Sequence, residues 1–473
     1  MKKKNNILVI LCDQLSATAL KAWGNKDSDT PVINEIIESG VRFSQAYTTC
    51  PLCQPARASF WTSLYPHQTE ILSNGRKHYV PELKAGIPTL GTVFADAGYK
   101  TVHFGKQHDA GSLRGFECVE VERPELDDAE PHWPVNYDSQ QDRDTQEKIV
   151  NFLGTYQEEA PYLAVADLNN PHDICNWIGE NEIGDELLVF DDAELPSLPD
   201  NLYINEEEFA KRPLPIQYIC CAHNRQAQIS EWDENKIRHY LKAYYHYLKR
   251  VDDEIGRIMN ALKQRADAED TLIVFFVDHG DSMCGRWMGT KHTSFYDETT
   301  HVPFAFSGPE IEGKNRCVDG LVSLLDLCPT LCDYAGLQIP ETLEGRSLMP
   351  CLRGEKERSE KKYVVSQWHT EWGFTIEPGR MLRTDKHKYT HYLEGGGEEL
   401  YDLDKDPLET KNLIDNPEYQ SALDEHRTLF KEYIEKTNDP YFSLEWLADE
   451  KYRSHKPGFR HHRGKAAPQL ENG

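Results

Sequence analysis

An α/β fold is predicted, built on a large mixed, mostly parallel sheet sandwiched by helices, with a smaller C-terminal antiparallel-sheet α+β domain. Three observations predict it. Apolar runs of strand length alternate with helical patterns through the first part of the chain. Four of these runs end abruptly in a polar or charged cluster, as central parallel strands do at their carboxyl ends. After about residue 355 the runs become short and closely spaced, the texture of an antiparallel sheet.

Taken in order, Ile7 to Cys12 is a continuous apolar run that stops at Asp13-Gln14, a buried strand. Thr30-Pro31 opens a helical pattern with Val32, Ile33, Ile36 and Ile37 on one side, and Gly40 is expected to end it in left-handed conformation. Val41-Arg42-Phe43 is extended and leads into the loop carrying Cys53. Residues 88–98 read as a helix. Tyr99 to Phe104 reads as a strand running into Gly105-Lys106-Gln107-His108, and residues 111–145 as loop. Tyr162 to Leu168 is a third buried strand, ending at Asn169-Asn170-Pro171-His172-Asp173. Residues 178–230 read as an irregular insertion near the substrate entrance, and 231–263 as a long helix. Thr271 to Val277 delivers Asp278-His279-Gly280-Asp281. Val302 to Phe306 is a further strand and 323–335 a helix ending at Gly336. Lys362 to Trp368, Arg380 to Thr384, Lys388 to Leu393 and Glu399 to Leu403 read as antiparallel strands, with 417–436 a covering helix. The domain boundaries expected are 1–355 and 356–450, with an extended or disordered tail over 451–473.

The net charge of -27 disfavours nucleic acid and anionic membranes as partners. It would repel a long polyanion equally, so any anion site needs a local cluster of cations. No apolar run approaches the ~20 residues of a membrane helix. The run Ile7 to Cys12 is shorter than the ~7–15 residues of a secretory h-region. The twelve cysteines show no disulfide or zinc spacing. A cytoplasmic location is expected on these grounds.

Ligands of such a sheet collect at its strand carboxyl ends, so the clusters should converge. Cys53 lies beside Pro55, which suits an early helical position, with Arg57 four residues on. A helix N-terminus with a guanidinium one turn away favours an anion; the plainer alternative is a buried cysteine capping an ordinary helix. Cys50 and Cys53 also form a C-x-x-C, which as a redox pair is a further alternative. Asp13, Gln14 and Asp278 offer oxygen ligands to a hard divalent cation, and His279 a nitrogen or a hydrogen bond. Lys106 and His108 are spaced to face one cleft. His172 follows a strand and a proline, and Lys291 and His292 follow the Asp278 cluster. Arg57, Lys106, His108, His172, Lys291 and His292 are the cations available to one site, which favours a small anionic substrate. His369, Arg380 and Arg383 in the smaller domain are candidate sugar readers, or equally plain surface charges on a sheet.

Cys53-Gln54-Pro55-Ala56-Arg57 and the segment through Leu64 resemble the signature of type I, formylglycine-dependent sulfatases of the alkaline phosphatase superfamily. Ile7 to Gln14, Gly105-Lys106-Gln107-His108, Asn170-Pro171-His172, Asp278 to Asp281, Lys291 to Pro303 and Leu400-Tyr401-Asp402-Leu403 with Asp406-Pro407 resemble further family segments in the same order. Gln14 and His279 stand where many members carry aspartate and asparagine; this version occurs also in relatives that cleave phosphonate monoesters and phosphodiesters. Ser63 replaces a frequent glycine.

The resemblance implies a sulfatase acting on a sulfate ester, here expected on a small sulfated carbohydrate. The alternatives are a phosphonate monoester or phosphodiester hydrolase, and a non-catalytic protein that binds sulfated ligands. It implies conversion of Cys53 to formylglycine by a maturation enzyme and a divalent metal, expected to be Ca²⁺, held by Asp13, Gln14, residue 53, Asp278 and His279. Lys106, Lys291 and Arg57 would hold the developing charge or the diol formed at residue 53, with either Lys291 or His292 as the substrate cation. His172 would protonate the leaving alcohol, and His108 would take the proton that restores the aldehyde.

Overall fold

The computed structural model describes residues 5–74, 82–121, 137–179, 190–217, 229, 231–291, 294–369, 378–393 and 395–443. The large sheet contains β1 (Asn6–Asp13), β2 (Val41–Tyr47), β3 (Lys100–Gly105), β4 (Glu117–Val119), β5 (Tyr162–Pro171), β6 (Thr271–Val277), β7 (Phe304–Ser307) and β8 (Arg316–Ser323). Their spatial order is β4-β3-β5-β1-β6-β7-β2-β8. Strand β7 pairs antiparallel with both neighbours and the other pairings are parallel. The expected mixed, mostly parallel sheet is therefore present.

Strand β1 is flanked by β5 and β6, and Ile7 to Leu11 are wholly buried, which is why its run is apolar without alternation. Helices cover both faces. His103 and Phe104 are consecutive on β3 and so point to opposite sides. His103 meets Trp61 of α2 (Cys53–Thr62), whereas Phe104 meets Phe152 of a helix over Tyr137–Thr155.

That second helix corrects the expectation of a loop over 111–145. We number the main helices α1 (Pro31–Glu38), α2, α3 (Leu90–Asp96), α4 (Tyr137–Thr155), α5 (Glu234–Lys263), α6 (Leu327–Tyr334) and α7 (Gln420–Thr437). The first turns of α4 bury Asp138, Ser139, Gln141 and Asp142, and only later Ile149 and Leu153. A buried face made of polar residues carries no apolar period, so the helix was invisible to pattern reading. Strands β4 and β8 were likewise not anticipated; both are edge strands, short or mixed in polarity.

Two further expectations are corrected. Gly40 is not left-handed; α1 ends with Ser39 at its C-cap. Gly40 is required by packing, since a Cβ there would sit 2.1 Å from the carbonyl oxygen of Phe306 on the neighbouring strand. Helix α2 starts two residues before the position expected from Pro55. Proline is tolerated in that first turn because its N–H groups have no intrahelical acceptor.

The small sheet has the order β12-β11-β10-β9, all antiparallel: β9 (Val364–Trp368), β10 (Gly379–Arg383), β11 (His387–Tyr392) and β12 (Gly397–Asp402). Adjacent residues separate its faces. Val365, Leu382 and Leu400 pack under α7 with Leu423, Phe430 and Tyr433. Val364, Met381 and Tyr401 pack with Tyr47, Leu52, Phe295 and Tyr296 of the larger part. This second core holds the small sheet against the segment that leads into Cys53 and against Met288, Phe295 and Tyr296. Within 178–230 the described residues form short pieces, a 3-10 turn at Asp192–Glu194 and a helix at Glu206–Ala210. The expected tail over 451–473 lies outside the described residues, and no described helix is long and apolar enough to cross a membrane.

Candidate active site

Four adjacent parallel strands, β3, β5, β1 and β6, end on one edge of the sheet. Lys106 follows β3, His172 follows β5, Asp13 closes β1, and Asp278 and His279 follow β6. Residues separated by up to 266 positions thus meet through topology alone. Gly105 makes the turn into Lys106 at φ +105°, and a Cβ there would lie 2.0 Å from the carbonyl oxygen of Asp167 on β5. Only glycine lets the two strand ends come that close.

Helix α2 brings Cys53 into this edge at its first residue. The Sγ lies 3.2 Å from Nε2 of His279, 3.8 Å from Oδ1 of Asp13 and 3.0 Å from Nζ of Lys291. Lys106 pairs with Asp13 Oδ2, and Lys291 lies 3.6 Å from Asp13 Oδ1. Burial and the neighbouring Asp13 push the Cys53 thiol up, but Lys291, His279 and Lys106 outweigh them and hold it well below the usual thiol range. Such a residue is charged or strongly polarised, unlike an inert core cysteine. Burial opposes the charge on Lys291, yet Cys53 and Asp13 hold its pKa far above normal. Of the two candidates for the substrate cation, Lys291 is at Cys53; His292 lies outside the described residues.

One ligand atom each from Asp13, Cys53, Asp278 and His279 falls within 4.8 Å of the others, and all four residues are buried. The Nδ1–H of His279 donates to the carbonyl of Gly280 at 3.0 Å, which turns the Nε2 lone pair toward the cluster. Burial first, and then Asp13, push Asp278 up to about 7. A divalent cation between the two carboxylates removes that cost, so the donor set fits one. Gln14 sits beside them at φ 65°, its Nε2 donating to Asp281 at 2.7 Å and its Oε1 accepting from Cys175 at 3.2 Å.

Arg57, expected to hold the developing charge or the diol, is engaged by the carboxylates beneath Cys53. Its guanidinium is fully buried under the cluster. Nη1 and Nη2 reach Asp167 at 2.6 and 3.1 Å, Nε reaches Asp278 at 3.0 Å, and Nη2 lies 3.5 Å from Asp13. It fixes the acidic cluster from behind. His103 also bonds Asp167, at 3.0 Å. Sequence reading missed Asp167, because it lies inside a strand and no motif marks it.

The groups open to solvent are Lys106 and His172, an imidazole whose pKa burial, Lys291 and Lys106 hold well below its ordinary value. The side chain of Lys106 is 11% and that of His172 23% exposed, whereas Asp13, Asp278 and His279 are at 0%. Nδ1 of His172 lies 2.8 Å from Oδ2 of Asp138 on α4. Asp138 was missed because it fell in the stretch expected to be loop. His108 is partly exposed. With the Gln54 amide oriented to accept, its Nε2 donates to Gln54, the neighbour of Cys53, at 3.0 Å.

The proposed sugar readers are not free surface charges. Arg380 is fully buried, with Nε and Nη2 on Asp439 at 2.7 and 3.0 Å, and Nη2 also 3.0 Å from Nε2 of His369. Its role as a sugar reader is therefore corrected to a structural one, because the whole guanidinium is spent within the small domain. Arg383 donates to the Tyr47 hydroxyl at 3.2 Å and to the carbonyl of Thr384.

Comparison with known proteins agrees with this geometry. The Sulfatase family model matches residues 5–337, and a model described as N-sulphoglucosamine sulphohydrolase, C-terminal, matches residues 286–436. A Delta 4,5-hexuronate-2-O-sulfatase of Bacteroides thetaiotaomicron is 45% identical over 99% of this chain and 97% of its own. A solved structure described as a 2-O GAG sulfatase has a TM-score of 0.86 at 43% identity, covering 99% of this chain and 100% of that one. The phosphonate monoester hydrolase of Agrobacterium radiobacter shares the fold, with a TM-score of 0.73 at 23% identity over 93% of this chain and 96% of its own. The chain belongs to the sulfatase family and is a sulfuric ester hydrolase.

Proposed function

We propose that this sulfatase removes sulfate from a small sulfated carbohydrate, with residue 53 matured to formylglycine and a divalent cation, Ca²⁺, held by Asp13, Gln14, Asp278, His279 and residue 53. The observation that carries the reading is the position of Cys53, at a helix start between Lys291 and the Asp13–His279 pair. The similarity to a hexuronate 2-O-sulfatase points to a 2-O-sulfated uronic acid as substrate. When present, the cation polarises the sulfate oxygens and the hydrated aldehyde supplies the nucleophilic hydroxyl.

The remaining work falls to the chain's own side chains. Lys106 and Lys291 hold the sulfate charge as cations fixed by Asp13 at the edge of the buried cluster. His172, exposed enough to meet substrate, gives its Nε2 proton to the departing alcohol oxygen. His108 accepts the proton lost in regenerating residue 53. Arg57 keeps Asp13 and Asp278 in register. None of the described cysteines is in a disulfide, in keeping with a reducing, cytoplasmic compartment; a formylglycine-generating maturation enzyme is the partner this reading requires.

The test is sulfate release by the matured protein from an unsaturated 2-O-sulfated uronate disaccharide, set beside hydrolysis of an aryl phosphonate. The reading expects much the larger kcat/KM on the disaccharide. A preference for the phosphonate would replace sulfate with phosphorus chemistry.

A further inference from the structure

A histidine delivers a proton in a fixed direction only if its other ring nitrogen is held. The segment Asn169 to Asp173 is tied to the start of α4 by three carboxylates. Asp173 accepts from the backbone N–H groups of Asp138 and Ser139, both at 2.9 Å. Asp142, one turn on, accepts from the N–H groups of Asn169 and Asn170 at 2.6 and 3.0 Å. It also accepts from their side-chain amides at 3.1 and 3.0 Å. Between these two clasps, Asp138 Oδ2 stands 2.8 Å from His172 Nδ1. Asp138 is 6% exposed, and the contact joins residues 34 positions apart.

We propose that Asp138 is a positioning residue for the leaving-group step, holding a proton on Nδ1 of His172 so that Nε2 carries the transferable one, with Asp142 and Asp173 locking the pair in place. The inference rests on the acid role given to His172 above. In the step, as the hydroxyl of residue 53 bonds to sulfur, the bond from sulfur to the alcohol oxygen breaks and the electron pair stays on that oxygen. The oxygen takes the Nε2 proton. His172 is left neutral, its Nδ1–H still on Asp138, and water returns the proton to Nε2. Asp138 neither gains nor loses a proton. Its carboxylate strengthens the hydrogen bond when the ring is cationic, as charge-assisted pairs do.

The test uses matured wild type, His172→Ala, Asp138→Asn, Asp138→Ala and the double variant H172A/D138N. The probes are aryl sulfates whose phenols range from strongly to weakly acidic. A strongly acidic phenol leaves without help, so loss of an acid is felt on the weakly acidic ones. His172→Ala should lose about 10²-fold or more in kcat on the poorest leaving group and little on the best. Both Asp138 variants should lose about 10-fold in kcat in the same selective pattern, with KM little changed. The double variant should be no worse than His172→Ala. The ratio between good and poor leaving groups does not depend on how much protein is folded, so partial misfolding leaves the test intact. Equal losses on every phenol in the Asp138 variants, or losses that add to those of His172→Ala, would make Asp138 merely structural. A flat pattern in His172→Ala itself overturns the acid role, and the positioning role with it.

Discussion

Arg380→Met separates a structural arginine from one that touches substrate. Arg380 on β10 and Asp439 just beyond α7 form a bidentate pair with both side chains at 0% exposure. Removing the cation leaves the buried Asp439 carboxylate without its bidentate partner, with Gln367 Nε2 at 3.3 Å and His67 Nδ1 at 3.7 Å beside it, which costs about 3–5 kcal/mol. With an unfolding entropy of about 2.1 cal/mol/K per residue over 473 residues, cooperative unfolding of the whole chain converts this to a Tm loss of about 3–5 °C.

The pH dependence has a definite sign. Burial would raise the Asp439 carboxyl, but Arg380 holds it below the ordinary value. The wild-type pair therefore contributes fully above the unfolded aspartate pKa of about 3.9 and loses its contribution as the pH falls through the depressed folded value. In the variant the carboxyl that has lost its cation is raised instead, so acid relieves its burial. The difference between wild type and variant is largest at pH 7 and narrows toward pH 4. Thermal unfolding at several pH values reads this directly. Turnover of the folded fraction should fall by less than about tenfold, which is ~1.4 kcal/mol of transition-state stabilisation. An unchanged Tm, or a loss of kcat/KM far larger than that, would refute the structural role.

Two other perturbations follow from the same geometry. Adding Ca²⁺ at a hundred times its dissociation constant should stabilise the protein by about 2.7 kcal/mol, seen as a raised Tm, and Asp278→Ala should abolish the shift. Ser63 sits at φ 56°, its hydroxyl donating to the carbonyl of Leu325 at 2.7 Å and accepting from the N–H of Gly345 at 3.0 Å. Ser63→Ala keeps the backbone strain and loses both bonds, for about 1–3 kcal/mol. Ser63→Gly loses the bonds but relieves about 1 kcal/mol of strain, so its urea midpoint should lie above that of the alanine variant.

These sites also show what was legible in the chain. Strands β1, β5 and β6 are buried on both faces, so their apolar runs and terminal polar clusters stood out. The convergence of Asp13, Lys106, His172 and Asp278 follows from parallel topology alone. Asp138 and Asp167 could not be seen, since one sits on a helix with a polar buried face and the other inside a strand. Arg57 and Arg380 were visible as cations but not as buried ones. Their partners, Asp167 and Asp439, lie 110 and 59 residues away, and pairing at that range leaves no local pattern. Ser63 was visible as a replacement for glycine, but the two hydrogen bonds that compensate its left-handed backbone reach Leu325 and Gly345, far along the chain.

The central claim is that residue 53 is the nucleophile after conversion. The tryptic peptide Phe43 to Arg57, taken from protein expressed with a formylglycine-generating enzyme, tests it most directly. Fragment masses should show that Cys53 has exchanged its thiol for an aldehyde while Cys50 keeps its own, together with turnover that Cys53→Ala abolishes. An unmodified thiol at Cys53 in protein that still turns over sulfate esters would contradict it.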